Sequence, residues 1–268
     1  PDPRLDKLTE MFQPKREVHA AIEWVDVPGF QGGAGTDGTR EATRFLEHAR
    51  KVDALAQVIR CFDGGYGAPD PAAEWETLAL ELTLADLQVV ENRLEKLTKE
   101  KERMGKVANP LEPPFFARLK EQLENDRPLR DLEFNADEER MASGFTFLTR
   151  KPLIAVLNHA ESEEPPADVV EAAGAAGAEV VAVCAVIEEE LAQLEPEDAA
   201  EFLADLGIQE PAAHRMIRAS YGALDLQSFF TVGPDECRAW TVRRGATAPE
   251  AAGRIHSDLE RGFIRAET

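Results

Sequence analysis

Long hydrophobic runs, cysteine pairs and positive charge are all scarce in this sequence. The longest apolar run, Val180–Ile187, has eight residues, whereas a membrane-spanning helix needs about 18 or more. No membrane partner is therefore predicted. The three cysteines, Cys61, Cys184 and Cys237, form no Cys-x-x-Cys pair, which excludes a disulfide scaffold and a zinc knuckle. We expect buried, reduced thiols in a cytoplasmic protein instead.

Acidic residues far outnumber basic ones. The 268 residues include 51 Asp and Glu against 30 Lys and Arg, which gives a formal net charge of −21. A protein this acidic repels a phosphate backbone, so no DNA partner is expected. The segment from residue 211 onward is an exception, with eight arginines against seven acids. It could contact RNA, and ordinary solvated faces are the alternative.

Three apolar segments without alternation predict buried parallel strands at Ala54–Cys61, Pro152–Leu157 and Glu179–Cys184. A helical segment, Ala167–Ala176, separates the last two and completes a β-α-β unit. A further strand is predicted at Ala21–Val27, where β-rich residues end in a Pro-Gly turn. The predicted fold class is therefore α/β, with a mostly parallel sheet.

A long helical segment, Glu74–Met104, interrupts this alternation of strands and helices. Its apolar residues recur at helical spacings and predict a narrow stripe that packs against a partner helix. The members of the stripe are Leu80, Leu84, Leu87, Leu94, Leu97 and Met104. Two shorter segments, Phe115–Asn125 and Ala136–Phe147, are predicted to return towards the sheet. Together they predict an inserted antiparallel helical arm.

Four segments follow from these patterns. Residues 1–73 and 148–226 are predicted to form the two parts of one α/β domain, and residues 74–147 form the arm between them. Two β segments joined by a Gly-Pro-Asp-Glu turn predict a hairpin. This hairpin opens a second, β-rich domain over residues 227–268.

The end of the first predicted strand carries an Asp-x-x-Gly pattern, formed by Asp26 and Gly29. In P-loop NTPases an Asp at the end of such a strand orders a magnesium ion. The glycine N–H, which no side chain obstructs, approaches the γ-phosphate. The pattern is common, and a strand that ends in an ordinary turn is the alternative.

Polar residues also follow the next strands. The strand Pro152–Leu157 ends in Asn158-His159-Ala160-Glu161, and the strand after it ends in Cys184-Ala185. In G-domain folds such loops hold the nucleotide base at the carboxyl edge of the sheet. The Asn would brace the loops, and the acid three residues later would face the base. Guanine specificity usually needs Asp there, so the longer Glu161 predicts a loss of guanine preference. A polar loop without a ligand is the alternative.

In this order, the segments resemble the YchF/Obg-like ATPase family. The resemblance rests on DVPG at 26–29, VIRCF at 58–62, LTRKPLIAVLNHAE at 148–161, VCAVIEEEL at 183–191 and the whole stretch 228–267. It implies a P-loop NTPase-type sheet with an inserted antiparallel coiled-coil arm, followed by a partial β-grasp (TGS) domain. It also implies an ATPase that prefers ATP to GTP and requires Mg²⁺. The implied partner is the ribosome or its RNA, in the cytoplasm.

The resemblance assigns roles to individual residues. Asp26 would serve Mg²⁺, and Gly29 the γ-phosphate. Phe30 stands where classical G proteins keep a catalytic glutamine, as is usual in this family. Gln57 occupies a strand position where the family commonly has a histidine, and with Gly29 and Phe30 it completes the predicted catalytic set. The nucleotide would be framed by Asn158, His159, Ala160, Glu161, Cys184 and Ala185.

The phosphate-binding loop of the family, Gly-x-x-x-x-Gly-Lys-Ser/Thr, does not occur in these 268 residues, which also have no initiator methionine. We therefore expect a fragment that starts after this loop. ATPase activity is expected of the full-length protein, and the fragment alone is expected to be inactive. The residue at Gln57 leaves a second hypothesis open. The protein would then be a non-catalytic paralogue that binds a ribosome or another partner without turnover.

Overall fold

The computed structural model of the chain describes residues 2–27, 44–65, 67–161 and 163–267. The chain divides into two compact units. We call Asp26–Glu190 the sheet unit, and Pro1–Val25 together with Leu191–Thr268 the terminal unit. These units differ in outline from the four predicted segments, whose boundaries stay predictions.

The elements are named in chain order. The strands are β1 (Arg16–Val18), β2 (Leu55–Arg60), β3 (Leu153–Asn158), β4 (Glu179–Val183), β5 (Leu226–Val232) and β6 (Glu236–Arg243). The helices are α1 (Pro3–Phe12), α2 (Pro71–Met104), α3 (Glu112–Glu124), α4 (Ala136–Ala142), α5 (Ala167–Ala175), α6 (Ala185–Leu191), α7 (Pro196–Asp205), α8 (Ala212–Ala223), α9 (Ala248–Ile255) and α10 (Ser257–Arg261). None of the helices in the described ranges is long and apolar enough to cross a membrane.

The sheet unit is built on a three-stranded parallel sheet in the order β2–β3–β4. The central strand β3 is buried along its apolar length, from Leu153 to Leu157. Trp75 of α2 and Val169 of α5 belong to the same core. A strand that is covered on both faces has no polar face to alternate with, which explains its continuous apolar run. The predicted α/β fold with parallel strands is confirmed.

Helix α2 confirms the predicted long helix but not all of the predicted stripe. Leu80, Leu84 and Met104 are each at least half exposed, so the prediction was wrong for these three residues. The buried face follows Trp75, Leu82, Thr83, Asp86, Val90 and Leu97. The reason is that α2 has two different neighbours. Its first half packs against the sheet core and its second half against α3, so no single stripe serves both.

Helix α3 folds back along the second half of α2 and forms the inserted arm. Their shared apolar core consists mainly of Val90, Leu97, Phe115, Phe116, Leu119 and Leu123. Two ion pairs join the helices at the surface, Arg93 with Glu112 and Lys120 with Glu91. The chain thus reverses within the arm, as predicted.

Helix α4 is shorter than its sequence pattern predicts. It ends at Ala142 instead of Phe147, because Phe145 and Phe147 leave the helix and stack on each other, with ring centroids 5.6 Å apart. Both rings contribute to the core of the arm. Burial of these rings outweighs the continuation of the helix.

A fully buried carboxylate joins α2 to the sheet. Asp86 accepts hydrogen bonds from the backbone N–H groups of Leu148 (2.9 Å) and Thr149 (2.7 Å), and from the Thr149 hydroxyl (2.7 Å). The Arg50 guanidinium lies 3.9 Å from it. Burial raises the pKa of Asp86 above its usual value, and the donors and Arg50 oppose this rise only in part. Helix α2 is therefore fixed to the segment that leads directly into β3.

The terminal unit contains a second sheet in the order β1–β6–β5. Strands β5 and β6 form the predicted antiparallel hairpin, and β1 adds to β6 in parallel. The core of this unit centres on Leu5 and Cys237, both fully buried. All three cysteines are free and buried, as expected.

The predicted strand Ala21–Val27 is wrong. Residues 19–27 have no regular secondary structure, and Trp24 and Val25 are 50% and 49% exposed. A strand must share its backbone hydrogen bonds with a neighbour. In the part of the chain that the structure describes, the nearest pairing is that of β1 with β6, which ends at Val18.

Several arginines of the C-terminal segment are paired with acids. Arg238 lies 2.9 Å from Glu236, and Arg244 lies 3.9 Å from Asp225. Such pairs neutralise the local positive charge. They favour ordinary solvated faces over a free RNA-binding patch at these positions.

We expect Asp86→Ala to lower the free energy of unfolding by about 3 kcal/mol, because it leaves two buried N–H groups without an acceptor. Glu76→Ala, at an exposed position on the same helix, is the control and should change it by less than about 0.5 kcal/mol. Urea unfolding of both variants measures this. Equal losses in the two variants would contradict the anchoring role of Asp86.

The contribution of Asp86 should also depend on pH. Because its pKa is higher in the folded chain than the unfolded value of 3.8, its stabilisation is complete below that value and is lost as the pH rises through the folded pKa. The stability difference between the parent chain and Asp86→Asn should therefore shrink as the pH rises from about 4 upwards. Urea unfolding across this range tests it, and a difference that grows with pH would refute a raised pKa.

Candidate functional site

The three parallel strands end together at one side of the sheet unit. In register, Arg60 of β2 lies opposite Asn158 of β3, and Asn158 lies opposite Val183 of β4. The loops that follow these residues are therefore neighbours, and we call this region the carboxyl edge. In open α/β sheets, ligands bind at this edge.

Asn158 connects the loops of the carboxyl edge. Its Oδ1 accepts a hydrogen bond from the N–H of Ala185 at 3.1 Å, and its carbonyl oxygen accepts one from the N–H of Cys61 at 2.8 Å. Ala185 is the first residue of α6, where N–H groups lack partners within the helix. The side chain of Asn158 thus caps α6 from the neighbouring loop. This geometry fits the predicted bracing role.

The loop after β3 is a tight turn. The N–H of His159 donates to the carbonyl of Val183 (2.9 Å), and the N–H of Glu163 donates to the carbonyl of Ala160 (3.1 Å). The ring nitrogen Nδ1 of His159 lies 2.9 Å from the Ala160 carbonyl oxygen. Glu161 is exposed within this turn. Its carboxylate is therefore accessible to a ligand at the carboxyl edge.

Two buried cysteines flank this loop. Cys184 lies between β4 and α6, and its carbonyl oxygen accepts the N–H of Glu188 at 3.1 Å. Burial, and then the charge of Glu74, raise the pKa of the Cys61 thiol. A protonated, buried thiol is a poor nucleophile. Cys61 therefore shapes the edge by packing rather than by reaction, and the side chain of Cys184 is buried as well.

The predicted phosphate and metal residues are only partly within the described chain. Asp26 is exposed, whereas Gly29 and Phe30 lie outside the described residues. Among the residues that the structure describes, no three potential ligand side chains cluster as a metal site. Mg²⁺ commonly binds through one or two carboxylates with phosphates and water, so a single Asp26 is chemically sufficient. Its metal role stays a prediction.

Gln57 is not brought to the carboxyl edge. It pairs with Ala155, three residues before Asn158, which is about 10 Å along the strand. Its Nε2 donates to the carbonyl oxygen of Glu74 at 2.7 Å. In this structure Gln57 therefore supports α2, and its catalytic role stays a prediction.

Sequence reasoning missed two residues that organise the end of β2. The Glu74 carboxylate accepts the N–H of Arg60 at 3.0 Å. The Arg60 guanidinium donates to the carbonyls of Phe62 (3.1 Å) and Gly67 (3.0 Å). The only sequence signal for Glu74 is an acid in the first turn of a predicted helix, which the helix dipole explains equally well.

These features together define a class of protein. The domain has a parallel sheet, braced loops at the carboxyl edge of that sheet, and a helical arm inserted between β2 and β3. It is an α/β domain of the P-loop NTPase type.

Comparison with known proteins identifies the family within this class. Over its whole length the chain is 42% identical to the ribosome-binding ATPase YchF of Bacillus subtilis, of which it covers 76%. It is 32% identical to Obg-like ATPase 1 of Oryza sativa subsp. indica, of which it covers 70%. The solved structure of the Schizosaccharomyces pombe YchF GTPase superposes with a TM-score of 0.82 at 30% identity, over 98% of this chain and 74% of that one. Residues 226–268 match the family YchF-GTPase_C, described as a protein of unknown function (DUF933). The chain belongs to the YchF/Obg-like ATPase family.

We expect Asn158→Ala to speed hydrogen exchange of the Ala185 amide about tenfold, because the loss of one such bond corresponds to about 1.4 kcal/mol of local opening. His159→Ala is the control, since the bonds that its side chain makes stay within its own loop. Exchange followed by NMR or mass spectrometry measures both. Unchanged protection of Ala185 in Asn158→Ala would contradict the bracing role.

Proposed function

We propose that this chain forms most of an ATP-preferring, Mg²⁺-dependent NTPase that acts at the ribosome. The observation that carries the proposal is the bond from Ala185 to Asn158, which joins the two predicted base-binding loops. Relatives that are at least 40% identical and share the whole chain are named ribosome-binding ATPases, which supports the same conclusion. The proposed location of the protein is the cytoplasm, where ribosomes work.

The choice of base depends on Glu161. A guanine base presents two adjacent N–H donors, and a carboxylate at the right depth accepts both. The extra methylene of Glu161 relative to Asp moves its oxygens away from that position. Adenine has an amino donor beside an acceptor nitrogen and does not need the bidentate match. Asn158, His159 and Ala160 would hold the loop, and Cys184 and Ala185 would form the other wall.

Catalysis in this class is mainly positioning and electrostatics. In the proposed assignment, Asp26 holds Mg²⁺, and the N–H of Gly29 contacts the γ-phosphate. Bound Mg²⁺ would neutralise charge on the phosphates. Phe30 stands where other G proteins place a glutamine, so another group would position the attacking water, and Gln57 completes the set as a polar residue on β2.

A second candidate function is a binding module that no longer hydrolyses nucleotide. The specific observation in its favour is that Gln57 is held by the carbonyl of Glu74 and lies back from the carboxyl edge. Such a protein would still bind nucleotide through Asn158 and Glu161. Measured turnover in the full-length protein separates the two functions.

The base preference provides a direct test. The full-length protein should bind ATP at least as tightly as GTP, and Glu161→Asp should shift the ratio of the two dissociation constants towards GTP by about tenfold. Glu163→Asp, an exposed acid in the same loop, should leave the ratio unchanged. Titration with fluorescent ATP and GTP analogues measures all three. A clear GTP preference in the parent protein would refute the assignment of Glu161.

The 268 residues without a phosphate loop should bind ATP only at about the millimolar level, near −4 kcal/mol, and should release no phosphate. In the full-length protein, ATP binding should depend on Mg²⁺, and Asp26→Ala should remove that dependence. Calorimetric titration with and without Mg²⁺ measures both effects. Micromolar binding by the 268 residues alone would show that the site lies elsewhere.

A further inference from the structure

The first turn of α2 is attached directly to the carboxyl edge. The Glu74 carboxylate accepts the N–H of Arg60, at the last residue of β2, and the Glu74 carbonyl accepts the side-chain amide of Gln57. Trp75, 7% exposed, packs into the core beside them. Strand β2 is at the edge of its sheet among the described strands. The carboxylate of Glu74 thus holds the end of β2 through the backbone of Arg60.

The bond to Glu74 reaches beyond β2. The Arg60 guanidinium fixes the carbonyls of Phe62 and Gly67 in the next loop. The N–H of Cys61, one residue on, donates to the carbonyl of Asn158. A shift of Glu74 would therefore move both the loop after β2 and the residue that braces the predicted base-binding loops.

Helix α2 also carries the arm. It is uninterrupted from Pro71 to Met104, and its middle is held by Asp86. At 1.5 Å per residue, Glu74 lies about 18 Å to one side of Asp86 and Met104 about 27 Å to the other. A stiff helix fixed at Asp86 moves as a lever. For a rigid helix that pivots at Asp86, a displacement at Met104 corresponds to one about two-thirds as large at Glu74, in the opposite direction.

The two attachments differ in strength. Asp86 is fully buried and accepts from three donors, so it is the fixed point. Glu74 is only partly buried, and its carboxylate accepts the single N–H of Arg60. The attachment at Glu74 is therefore the one that shifts when the arm is displaced, and it carries the end of β2 with it.

We propose that Glu74 is a positioning residue that couples the inserted arm to the nucleotide-binding edge, a role that rests on the proposed function. A partner that displaces the arm shifts the end of β2 through Glu74 and changes the affinity for nucleotide. Nucleotide at the edge shifts the arm through the same bond, because coupling between two binding events is reciprocal.

The test uses the full-length protein with spin labels at Glu102→Cys in α2 and Glu171→Cys in α5, both exposed positions in the sheet unit. The cysteines of this chain are buried and should not react with the label. The distance between the labels is measured by pulsed EPR with and without Mg-ATP. The measurement is made in the parent protein, in Glu74→Ala and in Glu74→Gln, whose amide oxygen can still accept from Arg60.

We expect Mg-ATP to shift the distance in the parent and in Glu74→Gln but not in Glu74→Ala. ATP affinity should fall about tenfold in Glu74→Ala and by less than about twofold in Glu74→Gln. Glu76→Ala, two residues further along α2 and exposed, should behave as the parent. Rescue by the glutamine variant separates positioning from a general loss of stability.

The other possible results also distinguish the proposed coupling from the proposed function. ATP binding without a shift in the parent, or with equal shifts in the parent and Glu74→Ala, would overturn the coupling. If the parent binds no ATP, the proposed function fails, and the coupling is tested without nucleotide. Glu74→Ala, but not Glu74→Gln, should then broaden the distance distribution and speed exchange of the Arg60 amide about tenfold. Unchanged distances and exchange in Glu74→Ala would reject the proposal.

Discussion

The arrangement of the sheet unit depends on one buried carboxylate. Removing Asp86 from water is unfavourable, and the cost is offset because three donors from Leu148 and Thr149 converge on it. Apolar contacts alone would allow α2 to slide or rotate on the sheet, whereas these directional bonds fix one position. That position sets how the arm leaves the sheet and where the first turn of α2 meets β2.

The carboxyl edge is held on both sides. On one side Glu74 holds the end of β2, and on the other Asn158 holds the start of α6. The loop that contains Glu161 lies between these supports. A site whose residues are held by neighbouring elements before a ligand arrives loses less entropy on binding. The same supports make the edge sensitive to movement of the arm.

Much of the fold could be predicted because buried strands and helices have recognisable apolar patterns in the sequence. The strands β2, β3 and β4 were predictable from apolar runs, and so was the position of Asn158 at a strand end. Asp86 was not, because a single acid within a long helix has the pattern of a solvated residue. Leu80 and Leu84 were misassigned because tertiary neighbours, not helical spacing, decide which face is buried. The role of Glu74 depends on a contact with β2 that no local pattern records.

The central claim is that nucleotide binds at the carboxyl edge, between the loop after β3 and the start of α6. The most direct measurement is a hydrogen-exchange footprint of the full-length protein with and without saturating Mg-ATP. The account predicts slower exchange at residues 158–161 and 184–185, with no change in the hairpin of β5 and β6. Protection confined to that hairpin or to the arm, with residues 158–161 unaffected, would contradict it.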